Sequence, residues 1–568
     1  MKVIKKQLAL LISLILLAFP VSGMTAPAIF PSFSGGSGTE ADPYLISDAD
    51  GLYELAALVN SGVGCDGVYF LLTDDIALPD GTGWTPIGSG AQAPEGGYIA
   101  FKGDFNGGGH TVTGMSFVSA LSVPASGFFG RTEGGSVHDI NVSGVVGVPS
   151  GCTGGVIGVS LGTQLTDISF TGSVYGVSGV GGIVGRLSGG SITNCSFDGT
   201  LSGELSTGGV FGSGENALVS NCTASCTVSG YQYTGCIGGI ADSVTFTRCA
   251  SSGSLAAYSL SGGTVGFCFN CTLTECVNEA YIEGVDRIAG IAGNVQTSDF
   301  VSCVNNGVIS AERFTGGVAG FCCGCTLTGC SNTGAVSGDD YIGGVMGWSD
   351  DGSDFGDNGL DNYISLCMNT GAVSGDWGVG GIIGDAHDAY VNDCFNTGDV
   401  SSVEYAGGLV GYTSESEVRR CYNVGTVRAG SNYGAVVGHV SNSGTVFENC
   451  FFLNTCCPYG DHGVSRSDTE LLSEAAYTGF DFESTWSIPD TGYPYARLNV
   501  LLPPLPLYGD ADGDGSITTV DALFILRYSM DIVPMTSLEL FRSDIDADGV
   551  VDTTDALLTL RKAVNMRD

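Results

Sequence analysis

The feature that most constrains this chain is a pattern of small residues, Gly-Gly-x-x-Gly, that returns along the middle of the sequence. It starts at positions 126, 154, 181, 208, 235, 262, 289, 316, 343, 380, 407 and 434, and nine of the eleven intervals are 27 residues. The clearest copies begin at Gly154, Gly181, Gly208, Gly316, Gly380 and Gly407, with looser ones at Ser126, Gly235 and Ala289. One interval is 37 residues, which places a local insertion in a single unit. A cysteine keeps the same frame at Cys195, Cys222, Cys249, Cys276, Cys303, Cys330, Cys367, Cys394, Cys421 and Cys450. Asn follows two residues later at Asn278, Asn305, Asn332, Asn369, Asn396 and Asn423.

Each unit holds three short alternating stretches separated by Gly or Asn, too little to bury an apolar face alone. Such units must stack, and the expected fold is mainly β: a parallel β-solenoid of about twelve coils with end caps. One strand spacing of about 4.8 Å per coil gives a rod of roughly 55 Å. In a stack each column packs on itself. The Cys column is expected to be buried packing, and the Asn column to sit at turns in left-handed backbone with amides bonded along the rod. Gly is expected to supply positive φ at the turns. A propeller or sandwich is the competing architecture, but propeller blades need about 40 residues and would not hold one Cys column at this period.

Composition narrows the function classes. The 92 Gly among 568 residues show no triplet period, which excludes collagen, and 43% apolar residues suffice for a core. The formal charge is −40, and no Lys lies between Lys102 and Lys562. Nucleic acid and anionic membranes are therefore not expected partners. Residues 1–23, with Lys2, Lys5 and Lys6 before an apolar run, read as a signal peptide, because Leu8 to Phe19 is too short to span a bilayer. No transmembrane anchor is expected, and the product is expected to be secreted, extracellular or held at a cell surface by docking.

The repeat resembles the GLUG motif of bacterial and archaeal surface proteins, seen here as Gly-Leu-Val-Gly from Gly408. The resemblance implies repeats over 126–463, an N-terminal cap over 24–125 and a C-terminal cap over 464–500. Ser47 or Asp48 can cap a helix whose Leu52, Leu55, Ala56 and Val59 face the first coil. A surface or adhesion scaffold follows from the resemblance, and no reaction does.

After a Pro-rich linker over 501–508, a second pattern appears over 509–568. Two copies of Asp-x-Asp-x-Asp-Gly recur 34 residues apart, each with a carboxylate at loop position 12. The candidate ligands are Asp510, Asp512, Asp514, Ser516 and Asp521, then Asp544, Asp546, Asp548, Val550 and Asp555, with Ser516 and Val550 offering backbone carbonyls. A hard cation takes six to eight oxygens, and Gly at position 6 permits the sharp turn, so two Ca²⁺ ions are expected. Ile517 and Val551 are placed to pair the loops. Asp in place of the EF-hand Glu, the duplication and one clear helix per loop make this segment resemble a type I dockerin, a small α-helical EF-hand-like module that plugs into cohesin domains of a scaffoldin. Carried over by position, the cohesin contacts are Thr519, Val520, Leu526 and Arg527, then Thr553, Thr554, Leu560 and Arg561. Their near-identity implies that cohesin could be bound in either of two orientations.

On the rod, Tyr233, Phe314, Tyr341, Trp377, Tyr405 and Tyr433 recur near the repeat starts and form a candidate glycan-binding stripe, or else a corner ladder that seals the core. The insertion gathers Asp350, Asp351, Asp354, Asp357 and Asp361, with Asp339, Asp340, Asp376, Asp385 and Asp388 nearby; paired carboxylates can hydrolyse glycosides or hold Ca²⁺. His387, His439 and His110 read as surface or core residues. The pairs Cys268/Cys271 and Cys322/Cys325 lie two coils apart, too far for one tetrahedral ion, so local disulfides or packed thiols are expected. No nucleophile elbow, HExxH or phosphate loop occurs. The reading that results is a docked solenoid serving adhesion or polysaccharide binding; the alternative is a glycoside hydrolase or polysaccharide lyase of the same assembly.

Overall fold

The computed structural model describes residues 33–568 except 80–82, 94–95, 122, 351–358, 443, 460–461, 489–492, 497–510, 512–516, 531, 534–542, 544–550, 552 and 564–568. Strands dominate and stack in parallel as a right-through solenoid of about 15 turns. Each repeat contributes a strand of four or five residues that begins at the fourth position of its Gly-Gly-x-x-Gly, and twelve of these, from Phe129–Glu133 to Val437–Val440, form one continuous parallel sheet. The register is uniform: Ile383 lies between Met346 and Val410, one coil on either side.

The turn count exceeds twelve because the flanks also add rungs. Tyr44–Ile46, Tyr69–Leu72 and Asp104–Asn106 pair in parallel and continue into Ser136–Gly147. Helix α1 (Ala49–Asn60) is capped by Asp48, whose carboxylate accepts the Gly51 N–H at 3.0 Å, and it buries Leu52, Leu55, Ala56 and Val59. At the other end Val464–Arg466 pairs with Phe451–Leu453, followed by the short helix α2 (Asp468–Leu471). Trp486 is buried there against Phe395 and Tyr422, and its indole N–H donates to Asp393 at 3.0 Å.

Columns explain why the sequence keeps its period. A Cβ on Gly380 would lie 1.9 Å from the Ile383 carbonyl oxygen, and one on Gly381 would lie 2.2 Å from the Gly408 oxygen of the next coil. The paired glycines thus serve close backbone approach between coils, where no side chain fits. Left-handed backbone falls on turn glycines as expected, for example Gly134, Gly135, Gly189, Gly190, Gly324 and Gly378, but the Asn column does not supply it. The residue before every ladder cysteine has positive φ: Asn194, Asn221, Arg248, Glu275, Ser302, Gly329, Leu366, Asp393, Arg420 and Asn449. Tertiary stacking overrides local preference here, since Arg, Glu and Leu occupy a conformation that favours Gly and Asn.

The ten ladder cysteines are buried thiols. Their Sγ–H groups point at carbonyls on both sides, as when Cys222 approaches the Ser220 oxygen at 3.3 Å and the Ile192 oxygen at 3.6 Å. Among the described residues no disulfide joins these cysteines, which matches the packed-thiol alternative. The Asn column is fully buried and joined end to end. Nδ2 of Asn278, Asn305, Asn332 and Asn369 each donates to Oδ1 of the next Asn at 2.7 Å, and Asn396 to Asn423 at 2.9 Å. The same amides also bond the carbonyl two residues on, as Asn332 does with Gly334 at 2.8 Å. This local bend splits the third stretch of these coils into short strands, whereas Thr223–Gly235, which lacks the Asn, runs unbroken.

Candidate functional sites

In the C-terminal module, helices α3 (Thr519–Ser529) and α4 (Thr553–Ala563) pack on each other around Ala511, Ile525 and Ala556, with Val551 against that core. Of the candidate Ca²⁺ ligands, Asp521 and Asp555 are described, and both are fully buried in the first turn of their helices. Asp510, Asp512, Asp514, Ser516, Asp544, Asp546, Asp548 and Val550 lie outside the described residues. The Asp521 carboxylate accepts the Thr518 N–H at 2.8 Å and its hydroxyl at 3.0 Å, a capping box that fixes the carboxylate at the end of the loop. Two buried carboxylates closing oxygen-only loops suit a hard cation such as Ca²⁺ and suit no soft metal.

The two helices expose the same face. Thr519, Val520 and Arg527 are exposed on α3, and Thr553, Thr554, Leu560 and Arg561 on α4, while Leu526 packs partly against the core. Sequence reasoning missed Leu523 and Leu557, which are 47% and 51% exposed at equivalent positions. With Thr519 and Arg527, Leu523 makes an i, i+4, i+8 stripe, and Leu557 does so with Thr553 and Arg561. The repeated Asp-Ala-Leu at 521–523 and 555–557 was the available signal.

On the rod, the proposed stripe divides. Phe314 and Tyr341 stack ring on ring along the axis, 5.2 Å apart and 14° from parallel. Trp377 breaks the stack. It stands 4.9 Å from Tyr341 and 5.1 Å from Tyr405, at 71° and 80°, in the coil where Gly378 takes the left-handed corner. Tyr233 meets Phe267 at 5.9 Å and Tyr433 meets Tyr459 at 5.1 Å, so neither joins this group. Tyr233, Phe314, Tyr341 and Tyr405 have positive φ, each at a coil corner.

A second column lies beside the corner and was overlooked: Phe321, Trp348, Asp385, Tyr412 and His439 are aligned in register on successive coils. Its signal was the 27-residue period of the strand after each glycine pair. Trp348 stacks 4.7 Å from Phe314, Tyr412 lies 5.0 Å from Trp377, and His439 stacks 5.1 Å from Tyr412. Arg287 lies over Phe321 at 4.9 Å. Asp385 is 5% exposed between Trp348 and Tyr412, and among the described residues its Oδ1 has no hydrogen-bond partner. Burial, and then the charge of Asp350, pushes its carboxyl up to about 8. The Trp348 indole N–H is likewise buried and unpartnered.

The remaining candidates disperse. Asp351, Asp354 and Asp357 of the insertion lie outside the described residues. Asp350 is buried, and Asp340 is held above the usual carboxylate range by burial and by Asp339 and Asp376. His387 bonds the Ser414 hydroxyl at 2.8 Å, and His110 lies 3.3 Å from Asp75. Cys268, Cys271, Cys322, Cys323 and Cys325 are buried, and among the described residues no group of three or more His, Cys, Asp or Glu side chains is arranged to hold a metal.

Comparison with known proteins agrees with this anatomy at both ends of the argument. Residues 508–565 match the family described as Dockerin type I domain, and residues 176–202 match the GLUG motif. A protein described as a Gly-rich membrane protein of Evansella cellulosilytica is 33% identical over 143 residues, 24% of this chain and 15% of the relative. Halomucin of Haloquadratum walsbyi is 30% identical over 149 residues, 25% of this chain and 2% of that protein. The chain therefore spans a small part of the relatives it matches. A crystal structure described as an immunoglobulin A1 protease from Bacteroides ovatus aligns over 82% of this chain and 95% of its own, at 16% identity and a TM-score of 0.25, too low to carry an argument. Among the described residues no helix is long and apolar enough to cross a membrane. A type I dockerin implies docking to a cohesin. The chain is a parallel β-solenoid with a GLUG motif that carries a type I dockerin domain near its C-terminus.

Proposed function

We propose that this protein is a secreted rod, divided at the boundaries given above, that docks through a Ca²⁺-loaded dockerin to a cohesin of a scaffoldin and presents its solenoid for adhesion or polysaccharide binding. The observation that carries the docking reading is the twofold repetition of buried Asp521 and Asp555 under matched exposed stripes. Ca²⁺, held by Asp510, Asp512, Asp514, Ser516 and Asp521 and by the equivalent second set, would fix each loop against its helix. Thr519, Val520, Leu523 and Arg527 would then meet cohesin, or Thr553, Thr554, Leu557, Leu560 and Arg561 in the other orientation, with Leu526 setting the packing beneath.

Full-length chain passed over immobilised type I cohesins in Ca²⁺ tests this. The pair L523A/R527A and the pair L557A/R561A should each retain binding, because the other copy serves, and the four-fold variant should lose it. Equal loss from either pair alone refutes the two-orientation reading, and no binding to any cohesin refutes docking. The rod reading rests on the aromatic face beside a buried carboxyl. The enzymatic alternative requires a second carboxylate about 5 to 9.5 Å from the first across a groove, and release of reducing ends from polysaccharide would establish it.

A further inference from the structure

Three observations coincide on the face between Phe314 and Tyr412. First, its rings do not all stack as a ladder. Phe314 and Tyr341 stack within 14° of parallel, whereas the half-buried Trp377 is turned by 71° and 80° from Tyr341 and Tyr405. Tyr412 lies 5.0 Å from Trp377 at 32°, so rings from two successive coils lie against each other in similar orientation. Second, the column between Trp348 and Tyr412 holds a carboxyl, Asp385, that is 5% exposed and has an oxygen without a partner, beside an unpartnered indole N–H. Leaving a buried carboxyl oxygen and an indole N–H unsatisfied side by side is costly, and a hydroxyl that accepts from one and donates to the other would satisfy both. Third, Asp340 and Glu404 flank Trp377 in register, and the next cation along that column, Arg313, is already paired with Asp286 at 3.1 Å, so acid predominates beside Trp377.

These features select one class of occupant. A flat apolar ring face beside hydrogen-bonding groups matches a pyranose, which has an apolar face and a rim of hydroxyls. The coil repeat of about 4.8 Å sets successive rings at a step close to one sugar unit. Acidic edges and the overall charge of −40 repel a uronate or sulfated chain. We infer that this face is a binding site for a neutral polysaccharide, with Trp377 and Tyr412 as stacking platforms and the Asp385 carboxyl and Trp348 N–H as the groups that fix the sugar hydroxyls. The inference rests on the reading of the rod as polysaccharide-binding and adds where, with which residues and to which charge class. A protonated Asp385 both donates and accepts at neutral pH, which suits an uncharged hydroxyl.

The test uses the full-length, Ca²⁺-loaded chain in affinity electrophoresis with hydroxyethylcellulose, arabinoxylan or galactomannan in the gel, and polygalacturonate as the anionic comparison. At least one neutral polymer should retard the chain and polygalacturonate should not. W377A should weaken the retardation about 10-fold, D385L about 5-fold or more, and Y363A/Y390A should leave it unchanged, because that stacked tyrosine pair lies on another face. Two of the four tryptophans, Trp348 and Trp377, lie in the site, so the wild-type fluorescence should also change on adding the bound polymer, a readout that needs no variant. Retardation lost in Y363A/Y390A but kept in W377A overturns this site and leaves the rod a polysaccharide binder. No retardation by any neutral polymer overturns both, while docking to cohesin, measured separately, stands.

Discussion

Replacing Asp385 by Asn should stabilise the rod, by an amount that depends on pH in a defined direction. The carboxyl is buried between Trp348 and Tyr412, and burial together with the nearby Asp350 charge pushes it up to about 8. An unfolded Asp titrates near 3.9. Between those values the native chain keeps a proton that the unfolded chain has released, so stability falls as pH rises, by about 1.4 kcal/mol per unit. Asn keeps the shape and removes the titration. The advantage of D385N over wild type is therefore expected to be small near pH 4, to reach about 4 kcal/mol near pH 7, and to level off above about pH 8. Urea unfolding of the Ca²⁺-loaded chain, followed by tryptophan fluorescence at half-unit steps from pH 4.5 to 8.5, measures it, since Trp348 and Trp377 report from the site itself. Parallel profiles for the two proteins would refute the reasoning, as would an advantage that shrinks with pH.

Other consequences follow from the columns and the C-terminal module. Asn332→Ala removes bonds to Asn369 and Gly334 and leaves the Asn305 amide without its acceptor, which should cost about 3 kcal/mol in the urea midpoint, far more than the same change at exposed Asn442. Burial pushes ladder thiols such as Cys222, Cys303 and Cys394 up, so a thiol reagent at pH 8 should leave them unlabelled in the native chain and modify all 21 cysteines in denaturant. Chelation with EGTA should lower the stability of the α3–α4 module and leave the strand signal of the rod in circular dichroism unchanged, because the carboxylates Asp521 and Asp555 lose their counter-charge while the rod depends on stacked backbone.

The architecture was legible because stacking converts a fold into a period: one residue type per column announces itself every 27 positions, as the ladder cysteines do. The same logic placed turn glycines correctly but misdirected the Asn column. Gly and Asn favour left-handed backbone in isolation, yet Arg248, Glu275 and Leu366 occupy it here, because the coils above and below hold the corner and local preference contributes only about 1–2 kcal/mol. The flanking rungs were hidden because Tyr44–Ile46 and Tyr69–Leu72 pair across an intervening helix with no fixed interval. The dockerin module was readable from the spacing of its Asp-x-Asp-x-Asp-Gly repeats, whereas the exposure of Leu523 and Leu557 required knowing which helix face is turned outward. The aromatic site was half visible. Corner positions give Trp377, but Trp348, Asp385 and Tyr412 share a column whose chemistry changes at every coil, and only the register brings an acid between two rings.

The central claim is that the chain links a polysaccharide to a cohesin-bearing surface in a Ca²⁺-dependent way, and one capture assay tests it. A cohesin-coated sensor is loaded with full-length protein in Ca²⁺, exposed in turn to fluorescent neutral polysaccharides (a glucan, arabinoxylan and galactomannan), and washed with EGTA. The account predicts capture of at least one glycan only after loading, and release of protein and glycan together on chelation. Protein capture without any glycan contradicts the role given to the rod, and glycan that stays bound after chelation, or no loading at all, contradicts docking through the dockerin.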